Sequence, residues 1–178
     1  RAKVIIFAQL DQLDTLLIAN SDIKKILVIC TGNSCRSIIL EAIINHFGGD
    51  YFRAFSAGSN PTGFVHPMSI KTLKNNGVSI LNPQSKSWDI FNEINFDLVI
   101  TVCNSAAGES CPIYLNNSPK THWGVSDPAK FQGTNTEIEE YFQKVFSTLK
   151  IRTEAFIENY KDSYQIDLNI LKNISYLS

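Results

Sequence analysis

No apolar run in these 178 residues is long enough to cross a bilayer as a helix. An excess of one charge is also missing: 16 Lys and Arg stand against 17 Asp and Glu, a formal net charge of -1. Nothing in that balance points to nucleic acid or to an anionic membrane surface. A bound anion must therefore be held by local design rather than by a global positive field. Cysteine is scarce, with 4 residues, and no two are spaced as CxxC. The spacings Cys30-x4-Cys35 and Cys103-x7-Cys111 argue against a zinc ribbon and against a disulfide scaffold. They fit a reducing cytoplasm with redox-active or catalytic thiols, and a cytoplasmic location is expected. The start, RAKVIIFAQLDQLDTLL, lacks a small-residue cleavage site and turns acidic early, so no signal peptide is expected. Internal repeats, low-complexity segments and linkers are absent as well.

What is present is a globular composition, 44% hydrophobic and 19% charged, in a chain long enough for one sizeable core. Ile6, Leu10, Leu13 and Leu17 recur near a helical period, so residues 1–23 read as a helical N-terminal extension to a single domain over 24–178. KILVIC, residues 25–30, predicts a buried parallel strand. A helix is expected from Ser37 to Phe47, stopped by Gly48-Gly49. Further strands are expected at 52–58, 96–103 and 121–129, the last running into a Pro-containing loop. Helices are expected at 67–76, 87–94, 134–160 and 167–177, with Ile138, Tyr141, Phe142, Val145, Leu149 and Phe156 as the stripe of the longest. This alternation implies an α/β fold: an open, mostly parallel four-stranded sheet with helices on both faces, and a phosphate-binding loop after the first core strand. Ligands of such sheets bind beyond the carboxyl ends of the strands. Three pieces fall there: the loop after residue 30, Cys103, and the loop containing Asp127.

The first piece carries the chemistry. In CTGNSCRS, residues 30–37, Cys30 ends a strand and Arg36 starts a helix. Backbone N–H groups of a tight loop entering a helix form an anion nest, here over Thr31, Gly32, Asn33, Ser34, Cys35, Arg36 and Ser37. Arg36 adds a planar bidentate donor for a tetrahedral oxyanion. The same field is expected to lower the Cys30 pKa, with the Ser37 hydroxyl donating to the thiolate and Asn33 holding the loop's shape. Cys-x5-Arg alone arises by chance; strand before, Gly and Asn within and helix after raise the reading above a buried cysteine and a surface arginine. Displacement at an oxyanion also needs a proton donor for the leaving oxygen, and Asp127 stands in the right loop. Asp-Pro is equally a common turn dipeptide.

Cys103 and Cys111 flank the small polar segment NSAAGES. They read either as unrelated thiols or as a relay, for which Gly108 would loosen the carrier backbone. The spacing leaves both open. Cys35 reads as a backup or trap for the nucleophile, or as a small filler. Trp123 reads as packing, His122 is unassigned, and His46 and His66 read as surface or satisfied histidines.

CTGNSCRS together with FSAGSNPTG, SKSWD, TVCNSAAGESCP and HWGVSDPA resembles the thiol-dependent arsenate reductases of the low-molecular-weight protein tyrosine phosphatase superfamily, from about Lys24 to Tyr160. The resemblance implies arsenate reduction to arsenite, with phosphate as the related oxyanion. Cys30 would attack arsenate held by Arg36 and the loop amides, and Asp127 would protonate the departing hydroxide. Cys103 would attack the adduct, releasing arsenite and leaving a Cys30–Cys103 disulfide, and Cys111 would then take over Cys103. Thioredoxin or a glutaredoxin/glutathione system would reset the enzyme. Cys103 and Cys111 stand eight positions apart, one more than in the best-described thioredoxin-coupled members, so both reductants stay open. Some relatives have Ala at the place of Cys35. No cofactor is required, although some members hold a structural potassium ion. Asn33, Glu41 and Ser56 match three of its ligands, and Trp88 falls near the fourth. A monomer is expected. The competing readings are a phosphatase using Cys30, Arg36 and Asp127 without a relay, and a non-catalytic oxyanion binder or redox sensor.

Overall fold

A computed structural model of the protein describes residues 23–103, 115 and 117–178. The expected helix within residues 1–22, and Cys111 with its flanking segment, lie outside the described residues. The elements follow in the order β1 (Lys24–Cys30), α1 (Arg36–Gly48), β2 (Phe52–Gly58), α2 (Pro67–Asn75), β3 (Leu98–Thr101), β4 (Lys120–His122), α3 (Asn135–Ser163) and α4 (Leu168–Ile174). Short 3-10 turns cover Trp88–Phe91 and Pro128–Lys130.

The strands form one four-stranded sheet in the order β2-β1-β3-β4. Every pairing is parallel, with Cys30 beside Gly58 and Ile29 beside Thr101. β1 takes the centre because it can be buried on both faces: Ile26, Leu27, Val28 and Ile29 are all fully buried. Its run is apolar without alternation, as a strand covered on both sides requires. Each such side chain contributes roughly 1.5–3 kcal/mol of burial.

The two faces are read from β2. Phe52 stacks on Phe156 of α3 at 4.5 Å, whereas Phe55, three residues on, meets Phe91 and Phe96 at 5.7 and 5.9 Å. Side chains an odd number of positions apart point to opposite faces of a strand. α1, whose Gly48 abuts the Phe52 ring, and α3 therefore cover the Phe52 face. Among the described residues the other face is covered by the 3-10 turn carrying Phe91. Here the expectation of an ordinary helix at 87–94 is corrected to the single 3-10 turn Trp88–Phe91, started by Ser87 accepting from the Asp89 N–H.

α1 is apolar nearly all round, with Ser37, Ile38, Ile39, Leu40, Ala42, Ile43 and Ile44 buried. Such a helix leaves little for water, with His46 its one exposed residue, and sits wedged between sheet and α3. α3 opens on a reciprocal cap between Thr134 and Glu137 and buries Phe142, Val145, Phe146, Leu149, Phe156, Ile157 and Tyr160 along one side. Two predicted strands are shorter than expected. β3 ends at Thr101, but the Val102 N–H still donates to the Ile29 carbonyl at 3.0 Å. β4 stops at His122, and the predicted Pro-containing continuation becomes the loop and the 3-10 turn Pro128–Lys130, since proline carries no donor for a ladder.

Gly58, at the end of β2, is where the sheet touches the loop after β1. A Cβ there would collide with the Thr31 carbonyl and lie 3.1 Å from the Asn33 backbone nitrogen. Gly58→Ala should therefore lower stability by about 1–3 kcal/mol, read as a lower Tm. It should also weaken phosphate binding, because the neighbour that must move is loop backbone.

Candidate functional site

The loop between β1 and α1 is held from outside by its carbonyls. The Thr31 carbonyl accepts from the Asn60 N–H at 2.9 Å, Gly32 from Thr62 at 3.0 Å and Ser34 from His66 at 3.0 Å. The hydroxyls of Ser85 and Ser69 add bonds to the Gly32 and Ser34 carbonyls at 3.1 and 3.2 Å. In a trans peptide the following N–H points opposite to the carbonyl. With carbonyls turned out, the N–H groups of Gly32, Asn33 and Cys35 turn inward. The Asn33 N–H already donates to the Cys30 sulfur at 3.1 Å.

Asn33 sets the loop's shape with both its backbone and its side chain. Its φ of 44° lies in the left-handed region, which asparagine tolerates better than most residues. Its amide donates to Ser37 and Ser56, both at 2.9 Å, and accepts from the Lys86 N–H at 2.8 Å. The Ser37 oxygen, which accepts from Asn33, shares a 3.0 Å hydrogen bond with the Cys30 sulfur, and its hydroxyl is placed to donate once that sulfur is a thiolate. The Ser56 hydroxyl in turn donates to Glu41. Asn60, Thr62, Ser69, Ser85 and Lys86 were not legible as supports from composition or periodicity. For Asn60, Thr62, Ser85 and Lys86 the only signal was their place in FSAGSNPTG and SKSWD, whose contacts no local pattern reveals, and Ser69 lies in neither segment.

Cys30 departs from expectation in its titration. Burial, with 3% of the residue exposed, pushes its thiol up from the ordinary value. The hydrogen bonds from Ser37 and Asn33 and the Arg36 charge act in the opposite sense and do not overcome it. Arg36 is the weakest of these influences because it faces elsewhere. Its Nη2 pairs with Asp127 Oδ2 at 2.9 Å and its Nη1 donates to the Val125 carbonyl at 3.1 Å. A raised thiol is neutral at pH 7 and ionises only as the pH climbs. Iodoacetamide labelling of Cys30 in the anion-free protein should therefore keep rising from pH 7 to 9, as followed by peptide mass mapping. A plateau already reached at pH 7 would contradict it.

Asp127 reaches the site from the loop after β4, where the Trp123 and Val125 N–H groups bond to the Thr101 and Val102 carbonyls. Its Oδ1 caps the 3-10 turn by accepting from the Ala129 N–H at 3.2 Å. The turn role and a place beside Arg36 thus coexist. The same loop is anchored by buried Arg152, which donates to the carbonyls of Trp123, Gly124 and Leu177 at 3.1, 3.2 and 2.9 Å. Trp123 is fully buried and donates to the Leu171 carbonyl at 3.1 Å, as a packing residue should.

Cys103 arrives at the loop that follows Cys30 because β3 is the neighbour of β1, and its buried sulfur lies 3.6 Å from the Thr31 hydroxyl. Cys35 is buried in the core cluster, and burial pushes its thiol up too, which is the filler behaviour. His66 caps α2 by accepting from the Met68 N–H and stacks on Phe142. His46 packs edge-on against Phe47, and His122 shares a 2.8 Å hydrogen bond with Thr101. The described residues thus bring together Cys30, the loop, Arg36, Asp127 and Cys103.

The family model described as low molecular weight phosphotyrosine protein phosphatase matches residues 25–166. An arsenate reductase of Bacillus subtilis (strain 168) is 39% identical over 140 residues, covering 78% of this chain and 98% of that protein. An arsenate reductase of Halalkalibacterium halodurans is 37% identical over 138 residues, covering 78% of this chain and 98% of that protein. Among solved structures, an arsenate reductase in the phosphate binding state gives a TM-score of 0.65 at 28% identity, over 77% of this chain and 98% of that one. The low molecular weight protein tyrosine phosphatase of T. tengcongensis gives 0.62 at 21% identity, over 76% of this chain and 99% of that one, a likeness of fold alone.

Proposed function

We propose, on the premise that the chain belongs to the low molecular weight phosphotyrosine protein phosphatase family and within it to the arsenate reductases, that it reduces arsenate to arsenite. The observation that carries the reading is Cys103, a second thiol 3.6 Å from the Thr31 hydroxyl at the nucleophile's loop. Hydrolysis of a phosphate ester has no use for it.

Arsenate enters the nest of loop N–H groups and draws Arg36 from its contacts with Asp127 and Val125, since a bidentate pair with a doubly charged oxyanion outweighs a partly solvated ion pair. Binding then does three things together. It places arsenic before the Cys30 sulfur, brings the guanidinium charge to the loop to favour the thiolate, and frees the Asp127 carboxyl to serve as the acid for the leaving oxygen. Cys30 attacks arsenic and hydroxide leaves as water with the Asp127 proton. Cys103 then attacks the Cys30 sulfur. The electron pair of the sulfur–arsenic bond stays on arsenic, so arsenic(V) leaves as arsenite and the two thiols become a disulfide. Cys111 displaces Cys30 from Cys103, and an external thiol reductant closes the cycle.

Asn33, Glu41 and Ser56, the residues that would hold a potassium ion, are joined to one another by hydrogen bonds. Asn33 has one side-chain oxygen and it accepts from the Lys86 N–H, while the Ser56 hydroxyl accepts from Asn33 and donates to Glu41. We read these three residues as a hydrogen-bonded brace between loop, β2 and α1.

The test is arsenite formation by the full chain, with thioredoxin and its reductase in one arm and glutathione plus glutaredoxin in the other. Sustained arsenite in either arm is the expected result, and none in both overturns the reading. Cys30, Arg36 and Asp127 also suffice for phosphoryl transfer, so slow hydrolysis of p-nitrophenyl phosphate is expected alongside.

A further inference from the structure

We propose that the cleft beside the oxyanion loop binds an acidic low-molecular-weight thiol, which regenerates Cys103 after each turnover. The proposal rests on the reduction proposed above. The cleft has a volume of about 900 Å³, and its walls include Arg36, Cys103, Lys120, Lys130, Lys172 and Tyr176. A tetrahedral oxyanion needs only a small part of that space, and concave sites of roughly 300–1,000 Å³ suit ligands of tens of atoms.

The charge on the walls is one-sided. Lys120, Lys130 and Lys172 are exposed and have no ion-pair partner among the described residues. Asp127 is the one acidic side chain among the described residues lining the cleft, and its Oδ2 is already engaged with Arg36. In a chain of net charge -1, this concentration of cations selects anionic ligands locally. A sulfur in the wall supplies the reacting partner. Leu168 and Tyr176, 43% and 76% exposed, add apolar contact on the side formed by α4. A peptide-sized thiol bearing carboxylates meets all three demands at once: negative charge for the lysines, an apolar stem, and a thiolate for Cys103. A concave cleft of this size fits such a molecule over most of its surface.

The chemistry balances with two thiols. One thiolate attacks Cys103 in its disulfide, forms a mixed disulfide with it, and expels the partner cysteine, which takes a proton. A second thiol attacks the mixed disulfide, releases Cys103 as a thiol and leaves as the symmetrical disulfide. Two electrons pass to the protein, and two small thiols are oxidised.

Glutathione and its diethyl ester test this directly, since they share a thiol and differ in two carboxylates. With the wild-type chain, kcat/KM for regeneration should be at least tenfold higher for glutathione than for the ester. The advantage should collapse in 0.5 M KCl, where exposed charges are screened. Lys120→Glu/Lys130→Glu/Lys172→Glu should lose at least tenfold with glutathione and less than threefold with the ester. Equal rates for the two thiols in wild type, or equal losses in the variant, overturn the proposal. So does regeneration by thioredoxin with none by glutathione. One equivalent of arsenate given to the fully reduced chain without added thiol separates the two levels. Arsenite released there, followed by charge-blind regeneration, refutes the cleft alone. No arsenite refutes the reductase reading beneath it.

Discussion

Cys103→Ser stops multiple-turnover arsenate reduction, a loss of about a thousandfold or more, and leaves p-nitrophenyl phosphate hydrolysis within about threefold of wild type. The two activities separate because they share the first step and differ in the second. Both need Cys30 to attack a tetrahedral centre held by Arg36. Only reduction needs a sulfur that can bond to Cys30 and leave an electron pair on arsenic. Serine is close to cysteine in volume, so the wall beside Thr31, whose hydroxyl lies 3.6 Å from the Cys103 sulfur, keeps its packing. What serine lacks is any capacity for disulfide formation. Assays of arsenite and of p-nitrophenol on the same preparation decide the matter. Equal loss of both activities would mean that Cys103 serves the loop's structure, and the relay would fall.

Arg36→Lys lowers kcat/KM for arsenate by about a thousandfold and weakens competitive inhibition by phosphate in parallel. Lysine keeps the charge but not the fork. In the structure one guanidinium spans Asp127 at 2.9 Å and the Val125 carbonyl at 3.1 Å, two acceptors that a single ammonium cannot hold in the same directions. Bound arsenate would likewise lose one of two parallel hydrogen bonds. A drop of less than tenfold would show that charge alone suffices at this position, and that the exchange of Arg36 between Asp127 and the oxyanion is not needed.

Much of this site could be read along the chain because its parts are local. Strand, loop and helix lie within residues 24–48, and apolar runs with Gly and Asn between them are short-range signals. Strand order was less accessible. That Cys103 would come to the loop depended on β3 pairing with β1, which alternation of elements permits and does not require. The titration of Cys30 was misjudged for a specific reason. A loop that concentrates N–H groups and an arginine predicts a lowered thiol, provided the arginine points at the sulfur. Here Asp127, 91 positions away, draws it aside, and burial decides the direction.

By itself the sequence determined which groups are candidates for the chemistry: a cysteine and an arginine at a strand-to-helix turn, with an acid and two further thiols downstream. It also determined the α/β architecture, since periodicity and turn residues act over a few positions and need no partner. Tertiary structure alone decided which groups meet. It turned the loop carbonyls outward onto Asn60, Thr62, His66, Ser69 and Ser85, paired Arg36 with Asp127, and set Cys103 beside Thr31. It also gathered Lys120, Lys130 and Lys172 from three separate segments around one cleft. Hydrogen bonds and charge pairs form only at contact distance. For residues dozens of positions apart, contact is set by how the sheet and its helices pack.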